Sequence, residues 1–183
     1  TGEKLAAEIN RYNGRIANYL EKEVINSKKH RLIENKIDNQ LKDLGYVGLP
    51  IDINKEYLLS LIKDKKIPLI GCIGYDNGQA YNNNGDYVTE CIVNTFESKK
   101  IIMLSEVGGY IKNGQIANMM NYQDLEKELE NNQPKEGMGV KLGTIKRLFD
   151  KFKHDFTVQV SSPQNLHKEL FTATGCGTYF YRG

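Results

Sequence analysis

The sequence that decides the fold runs Ile101-Ile102-Met103-Leu104-Ser105-Glu106-Val107-Gly108-Gly109, an apolar stretch that ends in a polar turn with two glycines. An apolar run of this length, bounded by turn residues, predicts a strand buried in a sheet. Two further glycines, Gly137 and Gly139, precede Lys141 at the start of a predicted helix. Turn glycines beside a helix N-terminus let backbone N–H groups approach an anion, and a lysine adds a mobile positive charge. This half of the sequence therefore indicates a phosphate-binding site.

Predicted helices alternate with apolar strands on both sides of this stretch. We predict helices over residues 5–12, 54–65, 86–96, 122–130, 141–152 and 163–170, and strands over 15–20, 44–51, 66–73, 100–104, 156–161 and 177–181. Short hairpins are expected within 21–43 and 107–116, and a loop over 75–85. The strand over 66–73 is expected to be buried on both faces.

This alternation predicts an α/β fold, a three-layer αβα sandwich with a mainly parallel sheet, in one domain over residues 1–183. Right-handed crossovers in such a sheet place ligands at the carboxyl ends of the strands.

Composition excludes several classes of protein. The 25 Lys and Arg residues against 23 Asp and Glu give a net charge of +2, and the densest basic cluster, Lys28–Arg31, has no interleaved aromatic residues, so we expect no nucleic-acid partner. Three widely spaced cysteines favour a reducing compartment without disulfides, and three scattered histidines predict no metal site. The apolar runs are too short to span a bilayer, and we expect a soluble intracellular domain.

Asn82, Asn84 and Asp86 lie between a predicted strand and a predicted helix. Asn and Asp are preferred helix N-caps, and spacing alone favours that structural interpretation. The functional alternative is that Asn82 offers its amide to a substrate carboxylate while Asp86 holds basic side chains in register.

Lys141 and the Ser105–Gly109 turn also have two interpretations. A lysine in a first helical turn is slightly destabilising because its charge opposes the helix dipole, and a bound phosphate would reverse that effect. The alternative interpretation is that Lys141 is simply exposed to solvent. The turn is either an ordinary connection or a nucleotide contact, since open α/β sheets bind nucleotides at strand carboxyl ends. Neither a P-loop nor a dinucleotide-binding glycine motif occurs in the sequence.

Several motifs in order resemble the amino-acid kinase family, and within it the acetylglutamate kinases. The segment Gly78–Asp86 is similar to the family's glycine-glutamine and Asn-x-Asn-Ala-Asp segment, and Lys100–Gly109 to its nucleotide-site strand and turn. Gly137–Lys141 resembles the glycine–lysine loop, and Glu169–Thr178 the Glu-Leu-Phe-Thr…Gly-x-Gly-Thr terminus. The segment Leu142–Asp150 is similar to the branch of fungal-type kinases and bifunctional acetylglutamate synthase/kinases.

The resemblance implies ATP-dependent phosphorylation of the side-chain carboxylate of N-acetyl-L-glutamate in arginine biosynthesis, with ATP and Mg²⁺ at the site. Asn82 would bind the acetylglutamate carboxylate, Asp86 would organise the catalytic lysines, and Lys141 would pair with the ATP phosphates. The nucleotide would lie against the remaining residues of the glycine motifs, namely Ser105, Glu106, Gly108, Gly109, Gly137 and Gly139.

The resemblance also leaves alternatives. In arginine-sensitive relatives the effector lies near the terminal motif, so Glu169, Gly175 and Gly177 form a candidate arginine site, the other interpretation of Glu169 being a helix-surface carboxylate. The chain would then be the arginine-sensing kinase-like domain of an acetylglutamate synthase, or a non-catalytic structural subunit.

The sequence also departs from the family pattern. Ser105-Glu106 replaces the family's usual Thr-Asp, Gly85 stands where alanine is common, and the Lys-x-Gly-Gly strand with its second glycine loop is not found. We therefore expect an incomplete kinase fold whose open sheet edge is covered by a missing lobe or by a protein partner. By analogy the location would be the mitochondrial matrix in a eukaryote and the cytoplasm otherwise.

Overall fold

A computed structural model describes residues 2–13, 17–20, 24–30, 33–34, 41–132, 137–172 and 175–183. The chain separates into two compact units, Thr1–Phe96 and Glu97–Gly183. Each unit contains both helices and strands.

The first unit contains three helices and eight strands among its described residues. In chain order they are α1 (Gly2–Asn13), β1 (Ala17–Leu20), β2 (Ile25–Lys29), β3 (Ile33–Glu34), β4 (Leu41–Lys42), β5 (Val47–Ile53), α2 (Lys55–Lys63), β6 (Ile67–Ile70), β7 (Ile73–Asp76), β8 (Gln79–Asn83) and α3 (Gly85–Phe96).

These strands form three groups. β1 pairs in parallel with β6, and β3 with β4 forms a short antiparallel hairpin. β2, β5, β8 and β7 form a closed four-stranded arrangement in that order. In it β2–β5 and β7–β8 are antiparallel, whereas β5–β8 and β2–β7 are parallel. The hairpin expected within 21–43 is thus found as β3–β4, although Leu32 and Ile37, which it was predicted to carry, lie outside the described residues.

Apolar side chains from both helices and strands form the core of the first unit. Its buried members are Leu20, Val24, Ile25, Ile53, Leu58, Leu61 and Val88, against which Ile70, Cys91, Ile92 and Phe96 pack. The α2 helix presents Leu58 and Leu61 to this core, and Asn54 caps its N-terminus by accepting a hydrogen bond from the Tyr57 N–H at 3.1 Å.

The second unit contains three helices and six strands among its described residues. In chain order they are β9 (Lys100–Leu104), β10 (Ile111–Lys112), β11 (Gln115–Ile116), β12 (Met119–Asn121), α4 (Tyr122–Asn132), α5 (Met138–Lys151), β13 (Thr157–Ser161), α6 (Leu166–Phe171) and β14 (Thr178–Tyr181), with a 3₁₀ turn at Pro163–Asn165. β12, β14, β13 and β9 form one sheet in that order, and β10 and β11 form the expected hairpin.

The α5 helix packs its apolar stripe into the core of the second unit. Leu142, Ile145, Leu148 and Phe149, spaced for one helix face, are all buried, as the sequence pattern predicted. Val158, Val160 and Phe180 of the sheet are fully buried as well. The Phe149 ring stacks on Phe156 with centroids 5.0 Å apart.

The α/β class is confirmed, with parallel pairs in both units. The pairing is more mixed than the sequence indicated. In the sheet of the second unit, β14 is parallel to β12 but antiparallel to β13. β14 begins at the same edge of the sheet at which β13 ends, so it runs in the direction opposite to β13.

Two local predictions were wrong. The apolar run 66–73 is not one strand buried on both faces: Gly71 and Cys72 separate β6 from β7, and Ile67 and Ile73 are 47% and 41% exposed. An apolar run cannot reveal that its two halves pair with different strands, β6 with β1 and β7 with β8.

The predicted loop over 75–85 is largely the β7–β8 hairpin. Asn77 and Gly78 form its two-residue turn with φ of 49° and 83°, the left-handed geometry that an Asn-Gly pair favours in tight hairpins. The glycine and asparagine content of this segment predicts a loop, but the Asn-Gly dipeptide between two short strands is the pattern that indicates a hairpin.

Leu148→Ala should destabilise the second unit by about 2–5 kcal/mol, because it leaves a cavity at a fully buried site. The measurement is denaturant unfolding of the whole chain. Val140→Ala in the same helix removes a side chain that is 51% exposed, and it should change the unfolding free energy by no more than about 0.5 kcal/mol. Equal effects of the two substitutions would contradict the placement of this helix.

Candidate nucleotide and substrate sites

Three chain segments meet at one edge of the sheet in the second unit. β9 and β13 are parallel with Leu104 opposite Ser161, so the residues after both strands leave the sheet at the same edge. β14 is antiparallel to β13 with Thr178 opposite Val160, so it enters the sheet there. Strand carboxyl ends of this kind are where α/β sheets bind ligands.

The turn after β9, here called the glycine turn (Ser105–Tyr110), is held by backbone hydrogen bonds. The Ser105 N–H donates to the Ser161 carbonyl at 2.8 Å, and the Gly108 N–H donates to the Ser105 carbonyl at 3.1 Å. The Tyr110 N–H donates to the Thr178 hydroxyl at 2.8 Å. The turn is thus fixed to the end of β13 and to the start of β14.

Two positions in the glycine turn require glycine. Gly108 has φ of 81°, a left-handed conformation that side chains disfavour. A Cβ at Gly109 would lie 2.6 Å from Ile116 and 3.0 Å from the Thr178 hydroxyl. Of the other predicted residues here, Ser105 is half-buried and Glu106 is exposed. Ser105, Glu106 and both glycines thus lie in one turn at the end of β9, and their contact with a nucleotide stays a prediction.

A buried polar pair that the sequence did not indicate anchors the end of the glycine turn. The Tyr110 side chain is buried and its hydroxyl is hydrogen-bonded to Glu128 of α4, which is itself buried. Burial and the hydrogen bond to this carboxylate raise the pKa of Tyr110 to about 12. Lys112 Nζ lies 3.7 Å from the same carboxylate.

The glycine–lysine loop forms the start of α5. Gly137 is the N-cap of the helix with φ of 48°, and a Cβ there would meet no described atom within 4 Å. As a glycine it has no side chain to accept from the first-turn N–H groups, and such groups suit an anion. Lys141, half-buried, lies in this turn and its N–H donates to the Gly137 carbonyl at 3.3 Å.

Topology orients this helix within the second unit. β14 enters the sheet at the edge of the glycine turn and leaves it at the opposite edge, where Arg182 donates to the Phe152 carbonyl and, at 2.6 Å, to the Phe149 carbonyl. The C-terminus of α5 therefore lies at that opposite edge, shortly before β13 begins at Thr157. Its N-terminal turn, with Gly137, Gly139 and Lys141, is therefore directed toward the edge that carries the glycine turn. All of the predicted nucleotide residues thus belong to the second unit.

The predicted substrate residues belong to the first unit, near the carboxyl end of β8. Asn82 is exposed there, and its backbone N–H donates to the Tyr46 carbonyl at 2.8 Å. Asn84 caps α3, since its side-chain oxygen accepts the Asp86 N–H at 2.8 Å. Asp86 is half-buried and makes no ion pair with a residue that the structure describes. The cap interpretation is therefore confirmed for Asn84, and the roles of Asn82 and Asp86 stay predictions.

Sequence reasoning overlooked Asn83, which lies between these residues. Its side chain is buried, is hydrogen-bonded to the Ser27 hydroxyl at 3.0 Å and donates to the Cys72 carbonyl at 3.2 Å. A Cβ at Gly48 would lie 2.7 Å from the Asn83 oxygen, and one at Gly74 would lie 2.7 Å from its nitrogen. The run of three asparagines thus contains one exposed, one buried and one capping side chain.

The candidate arginine site contains a carboxylate without solvent exposure. Glu169 is 0% exposed, so its interpretation as a helix-surface carboxylate is wrong. One oxygen, Oε1, accepts from the Ser161 hydroxyl at 2.7 Å and from the Cys176 and Gly177 N–H groups at 2.7 and 3.0 Å. Gly175 has φ of 59°, and a Cβ there would lie 2.1 Å from Glu169 Oε2. The three predicted residues therefore lie together, packed against one another.

The sequence profile of the amino acid kinase family matches residues 5–155. The chain belongs to this family. It is 32% identical over 142 residues to an acetylglutamate kinase of Xylella fastidiosa, an alignment that covers 76% of this chain and 34% of that protein. It is 29% identical over 188 residues to an acetylglutamate kinase of Caldicellulosiruptor saccharolyticus, covering 99% of this chain and 63% of that protein.

A fungal family member is similar as well. The mitochondrial protein arg-6 of Neurospora crassa is 31% identical over 142 residues, which cover 76% of this chain and 16% of arg-6. The chain therefore spans between about a sixth and just under two thirds of the length of these relatives.

Solved structures agree with the family on the fold. Across nearly the whole chain, the TM-score is 0.74 to smu.665 of Streptococcus mutans at 20% identity, with 67% of that chain covered. It is 0.77 to N-acetylglutamate synthase of Neisseria gonorrhoeae complexed with coenzyme A and L-arginine, at 15% identity and with 45% covered. Giardia carbamate kinase gives 0.69 at 12% identity, with 70% covered.

The described residues contain no cluster of three or more His, Cys, Asp or Glu side chains that could hold a metal ion. Their helices include none long and apolar enough to cross a membrane.

The Tyr110 pair predicts a pH dependence of stability. Because the pKa of the folded phenol is raised above the ordinary value of 10.0 to about 12, the stabilisation is complete below pH 10 and disappears as the pH rises toward 12. About 2–3 kcal/mol should be lost across this interval in the wild type. The measurement is the free energy of unfolding at several pH values, with Tyr110→Phe as the comparison.

Tyr110→Phe should remove most of that alkaline dependence. Tyr179→Phe, a half-buried tyrosine of β14 in the same unit, is the control and should retain it. An unchanged alkaline slope in Tyr110→Phe would contradict a specific role of the buried pair.

Proposed function

We propose that this chain supplies the nucleotide-binding and substrate-facing parts of an acetylglutamate kinase, which transfers a phosphoryl group from ATP to the side-chain carboxylate of N-acetyl-L-glutamate in arginine biosynthesis. The observation that carries the proposal is the sheet edge of the second unit, to which the glycine turn and the α5 N-terminus with its Gly137 cap contribute. Family membership and the names of the similar kinases support this choice of reaction.

The residues would act by positioning and charge neutralisation. Backbone N–H groups in the first turn of α5 would donate to phosphate oxygens, and the Lys141 ammonium would offset the negative charge on the transferred group. The glycine turn would let the backbone approach the nucleotide closely. Asn82 would hold a substrate carboxylate through its exposed amide, and Asp86 would orient basic side chains.

Magnesium would reach the site with the nucleotide. Mg²⁺ is commonly bound by one or two carboxylates together with substrate phosphates and water. Glu106 fits this mode, since it offers one exposed carboxylate at the glycine turn. The ion would neutralise phosphate charge.

The alternatives make different predictions about arginine. Three protein donors occupy Glu169 Oε1, and the Gly175 backbone packs over Oε2, so a guanidinium would have to move that backbone to reach the carboxylate. This favours the kinase proposal over an arginine-sensing domain. A non-catalytic structural subunit would bind neither ligand, so titration with arginine alongside Mg-ATP separates all three.

The similarity to mitochondrial arg-6 suggests the mitochondrial matrix if the source is eukaryotic, and the cytoplasm is proposed otherwise.

Lys141→Ala should weaken Mg-ATP binding by about 10- to 100-fold, since a hydrogen bond between charged groups contributes about 1.5–3 kcal/mol. The measurement is calorimetric titration of Mg-ATP into the whole chain. Lys127→Ala removes the same charge from an exposed position of α4 and should leave the affinity within about twofold. Binding that is equally weak in both variants, or unchanged in both, contradicts a phosphate contact at Lys141.

We also infer that a further strand covers the β1–β6 sheet, supplied by a lobe like those of the longer relatives or by another chain. Among the described residues β1 and β6 pair only with each other. Two-stranded sheets are marginal alone, and parallel sheets are normally buried on both faces. Large side chains on nearby elements are exposed, with Leu5 at 55%, Ile62 at 51% and Ile67 at 47%.

The isolated chain should therefore self-associate through this apolar surface. Ile67→Lys places a charge on β6 and should shift the chain toward monomer in analytical ultracentrifugation. Val140→Lys, at an equally exposed apolar position in the second unit, should not. A wild-type chain that is folded, monodisperse and monomeric would rule the inference out.

A further inference from the structure

Glu169 is the only fully buried charged side chain among the described residues, and it connects three segments at the nucleotide edge. It belongs to α6, while its Oε1 accepts from Ser161 at the end of β13 and from the Cys176 and Gly177 N–H groups just before β14. A buried carboxylate with three donors on one oxygen holds those donors in one geometry, because leaving the anion unpaired is costly.

Both segments bound by Glu169 in turn hold the glycine turn. The Ser161 carbonyl accepts the Ser105 N–H at 2.8 Å, on the side of β13. Thr178, directly after Gly177, accepts the Tyr110 N–H at 2.8 Å through its hydroxyl, on the side of β14. One end of the glycine turn is therefore bound to Ser161, which is hydrogen-bonded to Glu169. The other end is bound to Thr178, which follows Gly177, another hydrogen-bond partner of Glu169.

The second carboxylate oxygen of Glu169, Oε2, is enclosed by the protein. Oε2 is buried and has no hydrogen-bond partner among the residues that the structure describes. A Cβ on Gly175 would lie 2.1 Å from Oε2 and 2.2 Å from Gln159 Nε2, so the backbone packs directly against the carboxylate. Because Glu169 is 0% exposed, its effect on a nucleotide would pass through the neighbouring backbone.

We propose that Glu169 is a positioning residue for the nucleotide, setting the geometry of the glycine turn through Ser161 on one side and Gly177–Thr178 on the other. This assigns to Glu169 a role in ordering the phosphate-binding edge rather than in contacting a ligand. The inference rests on the proposed function only where it concerns nucleotide affinity. Its structural part, the connection to the glycine turn, stands independently.

The first test measures that connection without ligand, by backbone amide NMR of the whole chain. Glu169→Gln keeps an acceptor oxygen but removes the charge, and Glu169→Leu removes both. In each variant the Cys176 and Gly177 amides should shift, and the Gly108 and Gly109 amides, which do not contact Glu169, should shift with them. Leu148→Ala should leave the Gly108 and Gly109 signals in place. Unmoved glycine-turn signals in both Glu169 variants overturn the proposal.

The second test measures Mg-ATP affinity in the same variants. Glu169→Leu should weaken binding at least tenfold, and Glu169→Gln should restore most of the affinity because its amide oxygen can accept the same donors. Leu148→Ala controls for lost stability and should bind like the wild type. A Glu169→Leu affinity equal to that of Leu148→Ala overturns the proposal. If Glu169→Leu does not fold, Ser161→Ala removes one of the three donors and should weaken binding about threefold; no change would count against the proposal.

The two tests separate the failure of this inference from the failure of the proposed function. If the wild-type chain does not bind Mg-ATP, the proposed nucleotide site fails, and the amide shifts alone decide whether Glu169 orders the glycine turn. If the wild type binds Mg-ATP and the variants bind equally well, the nucleotide site stands and Glu169 has no positioning role.

Discussion

The parallel pairing of β9 with β13 is the constraint on which the second unit depends. With Leu104 opposite Ser161, both strands end at one edge. The last helix before β13 is α5, and Arg182 donates to carbonyls at its C-terminus at the opposite edge, so the α5 N-terminus is directed toward the edge where β9 and β13 end. The register is fixed by burial, since a shift of one residue would turn Val158 and Val160 away from the core side that they fill.

At this edge, glycines allow backbone segments to pack closely and to form hydrogen bonds where side chains would not fit. Gly109, Gly175 and Gly177 each lie where a Cβ would collide with a neighbouring group, the last of them 1.9 Å from the Val160 carbonyl. The space is used by main-chain contacts, by the Thr178 hydroxyl and by the Glu169 carboxylate. Such an edge is rigid without presenting many side chains, which suits a ligand recognised through phosphate oxygens.

The first unit follows a different principle, because its strands are short and pair in several small groups. Asn83 and Ser27 form a buried hydrogen bond where a larger sheet would carry apolar residues. Gly48 and Gly74 leave room for the Asn83 side chain. A buried polar pair of this kind stabilises one arrangement of its strands over slipped alternatives, since misplacing it would leave both groups without partners.

The sequence alone determined the features that depend on local periodicity and turn chemistry. The apolar spacing of Leu142, Ile145 and Leu148 predicted α5 and its buried face, and the glycines of residues 105–109 and 137–141 predicted turns where the backbone can approach a ligand. These patterns are legible in sequence because helix geometry and glycine conformational freedom act over a few residues.

Only the tertiary structure decided the rest. It divided the apolar run 66–73 between β6 and β7, paired β14 antiparallel to β13, buried Asn83 beside Ser27, and joined Tyr110 to Glu128. It also showed that Glu169, in a short helix, accepts hydrogen bonds from β13 and from the turn before β14. These outcomes depend on partners beyond the few residues over which local patterns act. Even the donors to Glu169 lie seven or eight residues away from it, beyond the reach of helix periodicity or turn chemistry.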